Sequence, residues 1–212
     1  MRRIVLVRHA QAEKNVQDRH GGSGSQLTEK GRTQAKTFAS DLRDYFGKIS
    51  RVLVIPKPQC LETASIICAD INVEPEVTEL LPPYNLGILD GLSRTEARER
   101  FPAHALAMDR WRRGLDEIQM LKIPNATEPS EFYKNGQHFL SYLEQEGEQC
   151  VFVGTRSTLV LMWNVLRGRE PIVGGGYFER PWENLEWVEF TRNDICCPWT
   201  EQRTQRPPPE IS

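Results

Sequence analysis

The 212-residue chain has no surplus of charge of one sign, no cysteine spacing suited to a metal and no long apolar run at its start. Each absence removes a class of function. Its first apolar run, Ile4 to Val7, stops after four residues at Arg8. A membrane span needs roughly 20 apolar residues and a signal peptide a core of about 7–15, so neither is expected and a cytoplasmic protein is. With 27 basic and 29 acidic residues the formal net charge is -2, which gives no whole-chain attraction to nucleic acid or acidic membranes. Any anion chemistry must be local. The five cysteines, Cys60, Cys68, Cys150, Cys196 and Cys197, are an odd set, and the adjacent pair is poorly placed to bridge. A reducing compartment, no disulfide and no metal are the expectation. No internal repeat and no linker interrupts the chain, so residues 1–200 are expected to form one domain. A chain of this length buries roughly 70% of its unfolded surface and builds a core without staples.

What is present is an alternation of short apolar runs and helical patterns. Residues 3–7, "RVLVI" at 51–55 and "CVFVG" at 150–154 are continuous and β-branched, as strands buried on both faces of a parallel sheet require. After Thr28, a candidate N-cap, Ala35, Phe38, Leu42 and Phe46 recur at helical spacing. Thr63 to Ala69 and Ser157 to Leu166 continue the alternation, and a further helix is expected around Phe132 to Leu143, with Pro129 near its start. "ENLEWVEF" at 183–190 reads as a strand of undefined facing. Strand, helix, strand, helix predicts an α/β three-layer sandwich with a mostly parallel central sheet. Residues 81–127 break the pattern: "LLPPYNLGILDGLS" is loop-like and the following stretch is helix-forming up to and beyond Pro102, so an insertion covering a site or sheet face is expected. The tail 201–212, with three consecutive prolines and almost no apolar residues, is expected to be disordered.

The first strand ends in Arg8 and His9, and in an open parallel sheet ligands bind beyond the carboxyl ends of strands. Arginine offers a planar fork of donors that fits a phosphate or carboxylate, and histidine serves as nucleophile, acid or base near neutral pH. Alone, such a pair reads as a surface arginine beside a structural histidine.

It is not alone. "LVRHAQAEKNVQDRHGGSGSQLTEKGRTQA" carries Arg8-His9-small, then Glu13, Asn15, Arg19, Gly22 and the helix start "LTEKGRTQA" over some thirty residues. This resembles the N-terminal segment of the histidine phosphatase superfamily, especially its phosphoglycerate mutase branch. "LETASIICADI", "LGILDGLS" and "CVFVGTRSTLVLMWNVL" resemble its second helix, glycine-rich acid loop and late strand-loop-helix, so the likeness runs from residue 3 to about 190. The resemblance implies a phosphoglycerate mutase-like fold and a covalent mechanism. The histidine at His9 attacks a phosphoryl group, becomes phosphohistidine, and is freed by water or an acceptor hydroxyl. Two arginines and a second histidine surround the group, and an acidic residue protonates the leaving oxygen. No metal or other cofactor is implied.

Carried over residue by residue, Arg8 and His9 are the catalytic candidates, with Asn15 and Arg19 on the substrate side. Three further positions depart: the second arginine falls on Gln59, the second histidine on Thr155 and the acid on Pro83. Arg156, at a helix start that itself favours anions, and Lys57, near Gln59, are candidate replacement cations. Glu79 and Asp90 are candidate acids, while Gln59, Thr155 and Arg156 complete the substrate-binding set. His104 and His138 are read as structural; His20 is too, unless it lines the mouth of the site. The expected partner is a small anionic or phosphorylated molecule. Three readings follow: a phosphatase-like enzyme with an atypical pocket, a pseudophosphatase that binds an anionic ligand or partner without turnover, or a family fold adapted to other chemistry through His9.

Overall fold

A computed structural model describes residues 2–17, 19–47, 49–146, 149–194 and 196–205. Six strands form one sheet: β1 (Arg2–Arg8), β2 (Val52–Val54), β3 (Pro75–Val77), β4 (Gln149–Gly154), β5 (Trp187–Arg192) and β6 (Thr200–Gln205), in the order β3-β2-β4-β1-β5-β6. The four strands from β3 to β1 are parallel, while β5 and β6 run antiparallel. Helices are α1 (Glu13–Val16), α2 (Glu29–Phe46), α3 (Pro58–Ile71), α4 (Arg94–Arg100), α5 (Pro102–Arg112), α6 (Pro129–Glu146) and α7 (Arg156–Leu166). α2 packs on α3 and α6 on α7, and these pairs flank the sheet. The architecture is the mostly parallel three-layer α/β sandwich that the alternating pattern predicts.

Local chemistry explains the elements. Ile4 to Val7 are all buried, as a central strand covered on both faces demands. Thr28 accepts a hydrogen bond from Gly31 N at 2.9 Å and starts α2, whose Ala35, Phe38, Leu42 and Phe46 enter the core. Pro58 occupies the first turn of α3, and Asn72 ends that helix in the left-handed region at φ 56°. Gly136 lets α6 lie close on α7, since a Cβ there would stand 2.9 Å from side-chain carbons of Leu161 and Val165.

One open facing is settled and one expectation changes. β5 has no solvent face: all six residues from Trp187 to Arg192 are buried, and its charges are paired, Glu189 with Arg3 at 2.7 Å and Arg192 with Glu144 at 2.9 Å. Residues 200–205 are a strand rather than disordered tail; 206–212 lie outside the described residues. Apolar content misleads here because an edge strand needs only backbone pairing, and polar edge strands are a common protection against aggregation. Contacts to larger groups add to that pairing: Trp163 Nε1 donates to Glu201 at 3.1 Å, and the Arg203 guanidinium lies 4.6 Å from the Tyr45 ring centre.

The topology fixes where chemistry can occur. Because β4 inserts beside β1 in parallel, Arg8 stands opposite Gly154, and His9 N donates to Gly154 O at 3.2 Å. Residues after both strands therefore meet at one sheet edge. β5 starts at the same edge, where Arg8 N donates to Glu186 O at 3.0 Å and Leu185 N to Arg8 O at 3.1 Å.

Candidate active site

A cavity of about 550 Å³ opens at that edge, within the range of roughly 300–1,000 Å³ typical of small-molecule sites. Its floor is Arg8, His9, Thr155 and Arg156; one wall is Lys14, Asn15, Arg19 and Lys57; another is Tyr177, Glu179 and Pro181 to Asn184. The roof comes from the 81–127 region, including Tyr84, Asp90, Arg94, Met108, Trp111 and Arg112. Seven cationic side chains line it (Arg8, Lys14, Arg19, Lys57, Arg94, Arg112, Arg156) against three carboxylates (Asp90, Glu179, Glu183). A near-neutral chain has concentrated positive charge in one concave place, which is how anionic ligands are drawn in.

His9 is the best-defined group. It is 2% exposed, and its Nδ1 lies 2.7 Å from Ala10 O. A carbonyl can only accept, so Nδ1 carries the proton and Nε2 keeps its lone pair. Burial first, and then the positive charge of Arg8, push the His9 pKa down to about 3. The ring is a neutral imidazole of fixed tautomer at neutral pH. Arg8 donates from Nη1 to Trp182 O, while its buried Nε has no partner among the described residues. Burial and then Arg156 lower the Arg8 pKa to about 10, which leaves it charged at neutral pH.

Thr155 and Arg156 open α7, and the Thr155 side chain does not cap that helix. It lies instead 3.3 Å from Ser157 Oγ and 3.4 Å from Thr158 Oγ1. The free backbone N–H groups of the first turn thus share the cavity floor with Arg156, and a helix start of this kind favours anions. Arg156 Nε donates to Glu179 Oε1 at 2.5 Å.

Of the residues singled out in the sequence, Arg8, His9, Asn15, Arg19, Lys57, Asp90, Thr155 and Arg156 line the cavity. Several are partly committed elsewhere. Asn15 Oδ1 accepts from Ala12 N at 2.9 Å, Arg19 donates to Gly91 O at 3.0 Å, Lys57 donates to Gly22 O at 3.2 Å, and Asp90 accepts from Gly22 N at 3.1 Å. Gln59 and Glu79 are corrections. Gln59 is fully buried outside the cavity lining, and its Oε1 accepts from Ser25 N at 3.2 Å. It anchors the 21–25 loop, where Gly24 (φ 104°) passes so close that a Cβ would stand 2.6 Å from Gln59 Oε1. Glu79 is exposed on the segment after β3 and does not reach the cavity. His104 and His138 do not line it either. His20 is buried behind the roof, where its Nδ1 accepts from Arg112 Nη2 at 2.9 Å; it aims an arginine rather than lining the mouth.

Sequence reasoning missed that arginine, and it missed Glu179. Arg112 ends α5, and its buried Nη1 has no partner among the described residues. Burial, then Arg94 and Arg156, lower its pKa to about 10. Glu179 sits in an irregular segment, its side chain 7% exposed, and burial raises its pKa against the opposing pull of Arg156, Arg112 and Arg8. Neither residue lies in a recognisable spacing. Only the basic run "DRWRR" signalled that the roof might supply charge.

The acid phosphatase of Mycobacterium tuberculosis is 33% identical over 101 residues, 47% of this chain and 48% of that protein. The 2,3-bisphosphoglycerate-dependent phosphoglycerate mutase of Cytophaga hutchinsonii is 31% identical over 118 residues, 54% of each chain. The chain thus spans about half the length of the curated relatives it matches. Among solved structures, a mycobacterial glucosyl-3-phosphoglycerate phosphatase in complex with VO3 superposes with a TM-score of 0.80 at 19% identity, covering 96% of this chain and 98% of that one. Phosphoserine phosphatase from Entamoeba histolytica, in complex with 3-phosphoglyceric acid, gives 0.76 at 19% identity over 98% of both. At such identity these two establish the fold alone. The sequence match is what carries membership: residues 4–191, from the first core residue of β1 to the penultimate residue of β5, fit the profile of one family, and the chain belongs to the histidine phosphatase superfamily, branch 1.

Proposed function

We propose that the protein is a phosphatase-like enzyme that cleaves a small phosphorylated metabolite through a phosphohistidine on His9. The observation that carries this reading is the state of His9: neutral, buried in the floor of a cationic cavity, and held by Ala10 O so that Nε2 is the free nucleophile. A neutral imidazole needs no deprotonation before attack, and a covalent intermediate divides one difficult displacement into two easier ones. The phosphoryl group spreads about two negative charges over its oxygens, so catalysis rests on fixed cations around it. Arg8 and Arg156 beside His9, the first turn of α7, and Arg112 from the roof are suited to that task. The names of the relatives support the same class, since they include an acid phosphatase, a phosphoglycerate mutase and phosphatases of phosphorylated small molecules.

A second reading has one observation in its favour: Gln59 stands outside the cavity and Thr155 brings no imidazole, so binding without turnover is a coherent alternative. Incubation with a panel of phosphomonoesters separates the two. The enzyme releases phosphate and yields an acid-labile phosphoryl adduct on His9, and His9→Ala abolishes both. Calorimetric binding of phosphate without release from any ester, and with no adduct, would establish the pseudophosphatase. A reaction abolished by His9→Ala while every phosphomonoester stays inert would point to altered chemistry instead.

A further inference from the structure

The phosphoryl transfer proposed above needs a proton for the leaving oxygen, and Pro83, where the resemblance places the acid, has none to give. Three carboxylates line the cavity. Asp90 is exposed at the mouth and accepts two contacts from Gly22 N, at 3.1 and 3.2 Å. Glu183 is exposed on the β5 side. Of the three, Glu179 is the one withdrawn from solvent, and Arg156, which lines the cavity with His9, holds its Oε1 at 2.5 Å. Arg112 and Arg8 pull on it from the roof and floor. We propose that Glu179 is the proton donor to the leaving group and, in the second half-reaction, the base that activates water, an assignment that rests on the phosphohistidine reading.

The environment makes this role depend on substrate. In the free enzyme three guanidinium groups favour the carboxylate while burial disfavours it. A dianionic phosphoryl group among the same arginines adds a like charge beside Glu179, and like charge raises a carboxylate's affinity for a proton. Binding therefore loads the acid. His9 Nε2 then forms a bond to phosphorus, the phosphorus–oxygen ester bond breaks with its electron pair on the leaving oxygen, and that oxygen takes the Glu179 proton. The alcohol leaves and Glu179 becomes a carboxylate. Next, a water oxygen attacks the phosphohistidine, Glu179 accepts the water proton, and the nitrogen–phosphorus bond breaks to return neutral His9 and phosphate.

Two measurements test the assignment. A general acid matters for an alkoxide that leaves badly and little for a nitrophenolate that leaves unaided. In Glu179→Gln, whose amide oxygen still accepts from Arg156, kcat/KM, which reports the steps through phosphoryl transfer to His9, falls about 10²- to 10⁴-fold on an alkyl phosphate and less than tenfold on p-nitrophenyl phosphate; Glu179→Asp recovers part of the alkyl activity. Equal loss on both esters, or the selective alkyl loss appearing in Glu183→Gln or Asp90→Asn instead, overturns the assignment. Calorimetry with tungstate at neutral pH, in buffers of different ionisation enthalpy, gives a reading independent of turnover. The wild type takes up protons on binding and Glu179→Gln takes up fewer. Uptake unchanged in the variant, or none in the wild type, refutes Glu179 as the loaded acid. Failure of the wild type to release phosphate from either ester refutes the phosphohistidine reading itself.

Discussion

Holding the nucleophile neutral makes the fold sensitive to acid, and the size of that effect follows from His9. In the unfolded chain its ring titrates near the ordinary histidine value of 6.5, while in the fold burial and Arg8 lower the pKa to about 3. Between those values the unfolded state binds a proton that the native state refuses, so stability falls as pH falls from about 6.5 towards 3. Above 6.5 neither state is protonated and His9 contributes no slope. The full interval corresponds to about 5 kcal/mol at roughly 1.4 kcal/mol per unit. Between pH 7 and pH 4.5 the same linkage gives about 2–3 kcal/mol. The second figure depends little on how far below 4 the native value lies, because at pH 4.5 the native ring is neutral in any case. His9→Gln keeps a polar side chain able to donate to Ala10 O but has nothing to titrate. Urea unfolding at both pH values should therefore show the wild type losing about 2–3 kcal/mol more than the variant, equivalent to about 5–10 °C in melting temperature for a chain of this size. Every other titrating group cancels in the comparison. Parallel pH dependence of the two proteins, within about 0.5 kcal/mol, would mean that His9 is not held neutral and would remove the basis for its role as a ready nucleophile.

Arg112→Met should raise KM for a phosphomonoester about 10- to 150-fold, the equivalent of one charge-assisted contact worth about 1.5–3 kcal/mol, with a smaller change in kcat; steady-state kinetics decides. His20→Phe should raise KM in the same direction because Arg112 loses its acceptor, and His20→Asn, whose side-chain oxygen can accept in place of Nδ1, should recover most of it. Equal KM in the Phe and Asn variants would show that the imidazole does not aim the arginine. Gln59→Leu should cost about 1–3 kcal/mol in urea unfolding, since Ser25 N loses its partner, yet leave formation of the His9 adduct intact; loss of the adduct in a folded variant would return Gln59 to the site.

The parts of this molecule that the sequence announced are those set by local pattern. Ile4 to Val7 could only be a doubly covered strand, Thr28 could only be reached by the backbone of a helix starting beside it, and Arg8 and His9 had to fall at the end of that strand. The edge strand 200–205 was hidden because pairing to β5 requires no apolar signal. Arg112 was hidden for another reason: Arg110, Arg112 and Arg113 are chemically identical in sequence, and only the seating of α5 distinguishes them. Arg110 pairs with Asp116 at 2.7 Å outside the cavity, whereas Arg112, next to Trp111 stacked on Tyr177, faces inward. Gln59 misled in the opposite direction, because a position can keep its place in a motif while its side chain turns to brace a loop.

The replacements at Gln59, Thr155 and Pro83 read as a loss when counted along the chain, and as a redistribution when counted around the cavity. On the reading proposed above, the cations expected at the second helix and after the late strand are supplied from the roof by Arg112 and from the first turn of α7 by Arg156. Arg156 lies near enough to lower the basicity of both Arg8 and Arg112. Buried guanidinium groups so close repel one another, and Glu179 offsets that repulsion when no anion is bound. A lone buried carboxylate would be costly, and so would an uncompensated row of arginines; together they make a site that tolerates being empty and gains when a phosphoryl group arrives. The cost of moving cations to the roof is that the site now depends on α5 being seated. Trp111 and Tyr177, both nearly inaccessible to solvent, carry that dependence, so packing around Trp111 and affinity for the phosphoryl group are linked in this chain through Arg112.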